Sequence, residues 1–156
     1  MEKLFPIFLL LILWPLNAHA WMAKVINVTD GDTIKIYNAE YGQVKIRFYG
    51  IDTPEKGQPY GQAAVKYLAS LVAGKMVDIE PVTEDRYGRT VAIVTDAKTN
   101  INQDMVRAGY AWVYQKYCNR PFCDYWLALE KQAKEGKLGL WQEPDPVPPW
   151  EWRRSK

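Results

Sequence analysis

Histidine is almost missing from this sequence: one residue in 156, His19. It falls within the first 20 residues, which read as an export signal, so the exported chain would carry none. That excludes imidazole-based nucleophilic triads, His-ligated zinc and histidine proton shuttles. Cysteine is scarce too, with only Cys118 and Cys123. Two thiolates without histidine make a poor zinc site, and their spacing is not the C-x-x-C of redox motifs. Long apolar runs are absent except at residues 4–16, which are shorter than the ~20 residues a membrane span needs. No large charge excess exists: 20 Lys and Arg stand against 18 Asp and Glu, a net charge of +2. This permits an anionic partner without demanding one. Chemistry must therefore come from carboxylates, arginine, lysine, tyrosine, hydroxyls or a hard metal ion.

The N-terminus is organised as an address. Met1-Glu2-Lys3 precedes the apolar run, and Ala18 and Ala20 supply the small residues of a cleavage site, so cleavage is expected after Ala20. The alternative is an uncleaved anchor. An exported chain meets an oxidising compartment, so a local Cys118–Cys123 disulfide is expected. The remaining 136 residues suffice for one domain with one core. Three segments are expected: a signal at 1–20, a folded domain at 21–142 and a Pro/Trp-rich tail at 143–156. Four prolines in the tail predict an extended chain.

The first half of the domain reads as strands. Residues 23–28 and 33–37 flank the Asp30-Gly31-Asp32 turn signal. Val44, Ile46 and Phe48 alternate with Lys45, Arg47 and Tyr49, which places Arg47 opposite the apolar row. Helices are expected over 59–73, 102–108 and 124–135, and further strands over 76–81 and 90–95. The predicted class is α+β: a small five-stranded OB-type barrel with three helices.

Chemistry concentrates in three segments: residues 30–33 (DGDT), 47–55 (RFYGIDTPE) and 85–89 (DRYGR). Each alone reads as a turn or a solvated charge run. Together they offer carboxylates from separate turns, able to converge on a hard cation that takes oxygen ligands. No twelve-residue EF-hand loop is present, so such a site would be open to a substrate oxygen. Arginine forks match phosphate oxygens. Glu55, three residues past Asp52, is placed to act as general base.

These segments resemble those of the thermonuclease family, the staphylococcal or micrococcal nuclease-like enzymes, over about residues 24–142. The resemblance puts the metal-binding carboxylates on Asp32 and Asp52 and the carbonyl ligand on Thr53. It puts the phosphate-binding arginines on Arg47 and Arg89, and the catalytic glutamate on Glu55. The nucleotide-stacking tyrosines fall on Tyr87 and on Tyr114 or Tyr117. Residues 56–61 are shorter than the family's lysine-rich loop, and the 118–123 loop differs. The resemblance implies an exported, calcium-dependent endonuclease, acting as a monomer on DNA and RNA and leaving 3′-phosphates. Single strands are expected to be favoured, because stacking needs unpaired bases. The competing readings are a non-catalytic nucleic-acid-binding module on the same barrel and an anchored envelope accessory protein. No role follows for the Trp-Glu-Trp-Arg-Arg end.

Overall fold

The computed structural model describes residues 20–97 and 99–156. The expected signal therefore lies outside the described residues, apart from Ala20. Strands β1 (Trp21–Asp30), β2 (Thr33–Asn38), β3 (Gly42–Phe48), β5 (Met76–Glu84) and β6 (Thr90–Asp96) build the barrel, with the two-residue strand β4 (Ile51–Asp52) between β3 and β5 in sequence. The order is β3-β2-β1-β5-β6. Parallel pairing of β3 with β6 (Ile46 with Thr90, Arg47 with Val91, Phe48 with Ala92) closes the ring. This is the five-stranded barrel that alternation predicted. Closure leaves few open sheet edges.

The same alternation fills the interior. Val25, Ile34, Ile36, Ile46, Phe48, Val77, Ile79 and Val94 are all buried. Helix α1 (Gly61–Val72) lays Ala64, Leu68 and Val72 against the barrel, spaced four apart on one stripe. Helix α2 (Ile101–Arg107) packs on β6 and touches α1, and α3 (Cys123–Glu135) packs on α2. Among the described residues, no helix is long and apolar enough to cross a membrane.

Three differences from the sequence reading have local causes. Strand β5 runs past Pro81 to Glu84 because a register shift between Pro81 and Thr83 accommodates the proline, which has no N–H to donate. Strand β4, β7 (Thr99–Asn100) and β8 (Trp112–Val113) are two residues each, too short to show a period. The tail is not simply extended. It contains a single helical turn, α4 (Pro149–Trp152), started by Pro149 at its first position, and a 3₁₀ turn precedes it at Gly139–Gln142.

Two buried polar side chains tie these layers together. The Asn102 side chain accepts from Val94 N (3.0 Å) and donates to the carbonyls of Tyr49 (3.0 Å) and Ala92 (3.2 Å). Glu130 accepts from Val113 N at 2.6 Å and is paired with Lys134, fixing β8 to α3. The Cys118–Cys123 disulfide is formed, at the start of α3.

Asn102→Ala would take the side-chain partner from the Val94 N–H and the Tyr49 carbonyl in the interior, while the Ala92 carbonyl keeps the Tyr49 amide at 2.8 Å. The expected cost is about 3 kcal/mol, from the penalty of orphaned buried groups. Urea unfolding of the purified protein checks it, and a loss below 0.5 kcal/mol on that scale would contradict the role assigned to Asn102.

Candidate active site

The site is built where two turns meet. Register shifts in β1 at Val25/Asn27 and Val28/Asp30 bend the strand just before the Asp30-Gly31-Asp32 turn. The bend carries Asp32 inward, to 6% exposure. Gly31 is required there, because a Cβ would lie 2.6 Å from Thr53 Oγ1. On the facing turn, β4 pairs antiparallel with β8, Ile51 with Val113 and Asp52 with Trp112. This pairing sets Asp52, 1% exposed, opposite Trp112.

Hydrogen bonds join the turns. Asp32 Oδ2 accepts from Thr53 N (2.9 Å) and Thr53 Oγ1 (3.0 Å), and Asp32 Oδ1 accepts from Thr33 Oγ1 (3.2 Å). Arg47 lies between the two carboxylates. Its Nη2 is 3.1 Å from Asp32 Oδ2 and 2.9 Å from Asp52 Oδ1, and its Nη1 donates to Phe48 O at 3.0 Å. Arg47 is opposite the apolar row, as alternation predicted, yet its side chain is only 15% exposed. The β4 turn folds over it.

Glu55 is held on the same rim. Its N–H donates to Gln58 Oε1 at 3.1 Å, while its carbonyl accepts from Gln58 N at 2.8 Å. Helix α1 starts close against this loop, and at Gly61 a Cβ would collide with the Glu55 carbonyl. The Glu55 carboxylate is partly exposed, open to water and substrate.

The electrostatics are those of crowded carboxylates. Burial pushes the Asp52 carboxyl above its ordinary value and the Asp32 charge adds to this, while Arg153, Arg47 and their hydrogen bonds pull it down. Asp30, behind Asp32, is pushed up to about 7, chiefly by burial and then by the Asp32 charge. The carboxylate oxygens suit a hard cation: two buried carboxylates converge on one point, where Arg47 Nη2 bonds to both. Among the described residues there is no cluster of three metal-ligating Asp, Glu, His or Cys side chains. The fit is therefore to an open site, completed by backbone, water or substrate oxygens.

The structure brings Asp32, Arg47, Asp52, Thr53 and Glu55 together. It does not put Arg89 in contact with them. Arg89 Nε pairs with Asp85 Oδ2 at 2.7 Å within its own turn. Backbone and side-chain bonds from Arg89 outweigh burial and hold the Asp85 carboxyl below its ordinary value. Arg89 still precedes by two residues Val91, the rung partner of Arg47. Tyr87 is exposed in that same turn, its ring under Arg86 and Arg89. Tyr114 and Tyr117 meet edge to face at 4.8 Å just after β8, where the Tyr114 amide donates to the Gly50 carbonyl at 2.8 Å. One residue of the site was not foreseen. Arg153, from the tail, places Nη2 2.8 Å from Asp52 Oδ2 and Nη1 2.7 Å from Glu55 Oε1. Burial works against its charge, but the bonds to Asp52 and Glu55 outweigh that and raise its pKa further. Charge patterning could have flagged two adjacent arginines, but nothing local ties them to residues a hundred positions earlier.

The raised Asp30 carboxyl has a sign that can be tested. Its folded pKa lies above the unfolded value, so the native state binds the extra proton between about pH 4 and 7. Stability from this group is full at low pH and is lost as pH rises through 7. In chelator, Asp30→Asn should therefore stabilise the protein at pH 8, by on the order of 2 kcal/mol, and leave it little changed at pH 4. Thermal unfolding at both pH values checks this. An equal effect at both would contradict the assignment.

Comparison with known proteins identifies the family. Residues 45–143 match the family described as Staphylococcal nuclease homologue. An "Uncharacterized endonuclease" of Escherichia coli O157:H7 is 41% identical over 157 residues, covering all of both chains. A second "Uncharacterized endonuclease", from Haemophilus influenzae, is 38% identical over 133 residues, covering 85% of this chain and 73% of its own. The "Micrococcal nuclease" of Shigella flexneri is 36% identical over 151 residues, covering 89% and 86%. The match spans β3, Arg47, Asp52, Glu55 and Arg89 and reaches the start of the tail, so this chain belongs to the staphylococcal nuclease homologue family.

Proposed function

We propose that the protein is a calcium-dependent endonuclease hydrolysing phosphodiester bonds in DNA and RNA. The observation that carries this is the pair of buried carboxylates, Asp32 and Asp52, meeting on Arg47, with the more exposed Glu55 carboxylate joined to Asp52 through Arg153. Family membership and nuclease relatives support the reaction class.

Asp32 and Asp52, with the Thr53 carbonyl, would hold the cation. When bound, it supplies Lewis-acid stabilisation of charge on a phosphate oxygen. Arg47 is held by Asp32 and Asp52 in one orientation, so its remaining N–H groups meet a phosphate without reorganisation. Glu55, on the open rim, accepts the proton of the attacking water. Arg89 would bind a second phosphate oxygen by exchanging Asp85 for it, since both are charge-assisted partners of the same fork. Tyr87, Tyr114 and Tyr117 offer ring faces to unpaired bases, which favours single strands. A site of carboxylates and arginines reads the phosphate and not the base edge, so DNA and RNA are both substrates. The family resemblance supports cleavage that leaves 3′-phosphates. The disulfide supports an oxidising, exported location.

Two measurements test the proposal. Purified protein should degrade single-stranded DNA with calcium and stop in excess chelator; binding without cleavage under both conditions would favour the binding module instead. Glu55→Gln should keep the fold and substrate affinity but lose about 10²–10⁴ in turnover. Single-turnover kinetics with near wild-type rates for this variant would remove Glu55 from the chemistry.

A further inference from the structure

The tail expected to be a separate extended segment is docked on the domain. Trp150 stacks on Tyr114, with ring centroids 4.9 Å apart and planes 7° from parallel. It also meets Trp112 edge to face at 5.7 Å. The Val147 carbonyl accepts from Gln58 Nε2 at 2.5 Å, and Gln58 is the residue that holds the Glu55 loop. Pro149 is buried and opens the single turn of α4. The turn ends at Arg153, whose guanidinium faces the carboxylates.

The contacts of Arg153 are those a cation would need. Nη2 bonds Asp52 Oδ2 at 2.8 Å, and Nη1 lies 3.3 Å from Asp52 Oδ1 and 2.7 Å from Glu55 Oε1. Arg47 takes Asp52 Oδ1 as well. Both oxygens of Asp52 are thus occupied by guanidinium N–H groups. A divalent ion on Asp52 would use the same lone pairs and bring two positive charges next to a third. Glu55 is tied at the same time, its Oε1 accepting the bond that a water would otherwise donate.

We propose that Arg153 and the divalent cation exclude one another at Asp52. The docked tail stands in for the cation, and cation binding displaces the guanidinium and frees Glu55 in one step. This rests on the reading of Asp32 and Asp52 as cation ligands. The tail's own packing is carried by Trp150, Pro149 and Val147, so Arg153 can leave the carboxylates while the tail stays docked. Competition of this kind is reciprocal: whatever Arg153 contributes to the cation-free form is subtracted from cation affinity.

The test is calorimetric titration of calcium into the full chain, without nucleic acid. Arg153→Ala should bind calcium about tenfold more tightly than the wild type, within the range of coupling between linked ligands. Arg153→Gln, which keeps two methylenes of the stem without the charge, should show the same gain and serves if the alanine variant does not fold. Arg154→Ala, at an exposed neighbour, should leave the affinity unchanged. Equal calcium affinity in the wild type and the Arg153 variants overturns the exclusion and leaves the cation site standing. Weaker binding in the variants also overturns it, because Arg153 would then support the bound form. No calcium binding by any of the proteins overturns both this inference and the cation site on which it rests.

Discussion

Asp32 and Asp52 repel each other and both are buried, yet they occupy one pocket because the Arg47 guanidinium lies between them. A lone buried carboxylate would take up a proton instead of keeping its charge. Here a single donor atom is shared by two acceptors, and Thr53 adds two more bonds to Asp32. The barrel exists, from the site's point of view, to hold that three-way contact. Strand β3 delivers Arg47, the β1–β2 turn delivers Asp32, and β4 delivers Asp52. Parallel pairing of β3 with β6 fixes where β3 ends, and so where the guanidinium sits.

Much of this was legible in the sequence, and the reasons differ from element to element. The row Val44, Ile46 and Phe48 has a period of two and marks β3 without ambiguity. Asp30-Gly31-Asp32 announces a turn by composition, and the structure adds why Gly31 is there. The approach of Thr53 is a contact between distant segments and leaves no local trace. The family resemblance names Asp32, Arg47, Asp52, Thr53 and Glu55; the first four are linked by direct bonds, and Glu55 joins Asp52 through Arg153. Arg89 was named in the same way but is paired within its own turn, because Asp85 lies four residues away and is the nearest acceptor. The spacing of a motif specifies residue types, not which of two partners a side chain takes.

What the sequence hid is mostly long-range. Asn102 looked like an ordinary helix-start residue. Its three bonds reach backbone up to 53 positions away. Glu130 on α3 accepts the Val113 amide, a partner 17 positions away. The tail is the clearest case. Clustered prolines argue for extended chain, and residues 143–148 do lack helix and strand, but the segment then turns helical. But a proline is also well suited to the first position of a helical turn, and Pro149 uses that property to aim Arg153. The aromatic residues that looked like substrate platforms partly serve the protein itself, since Tyr114 is already stacked on Trp150.

The Asn102 network has a consequence for how the protein tolerates genetic change. One side chain fastens β6 to the carbonyl of Tyr49, three residues before Asp52. The scaffold and the site therefore share a fastening and form one cooperative unit. A substitution on the far wall of the barrel has little means of reshaping the carboxylate pocket by degrees. Its damage registers as fewer folded molecules, each still properly assembled, so inherited variation in the barrel acts on the amount of active protein and not on its quality.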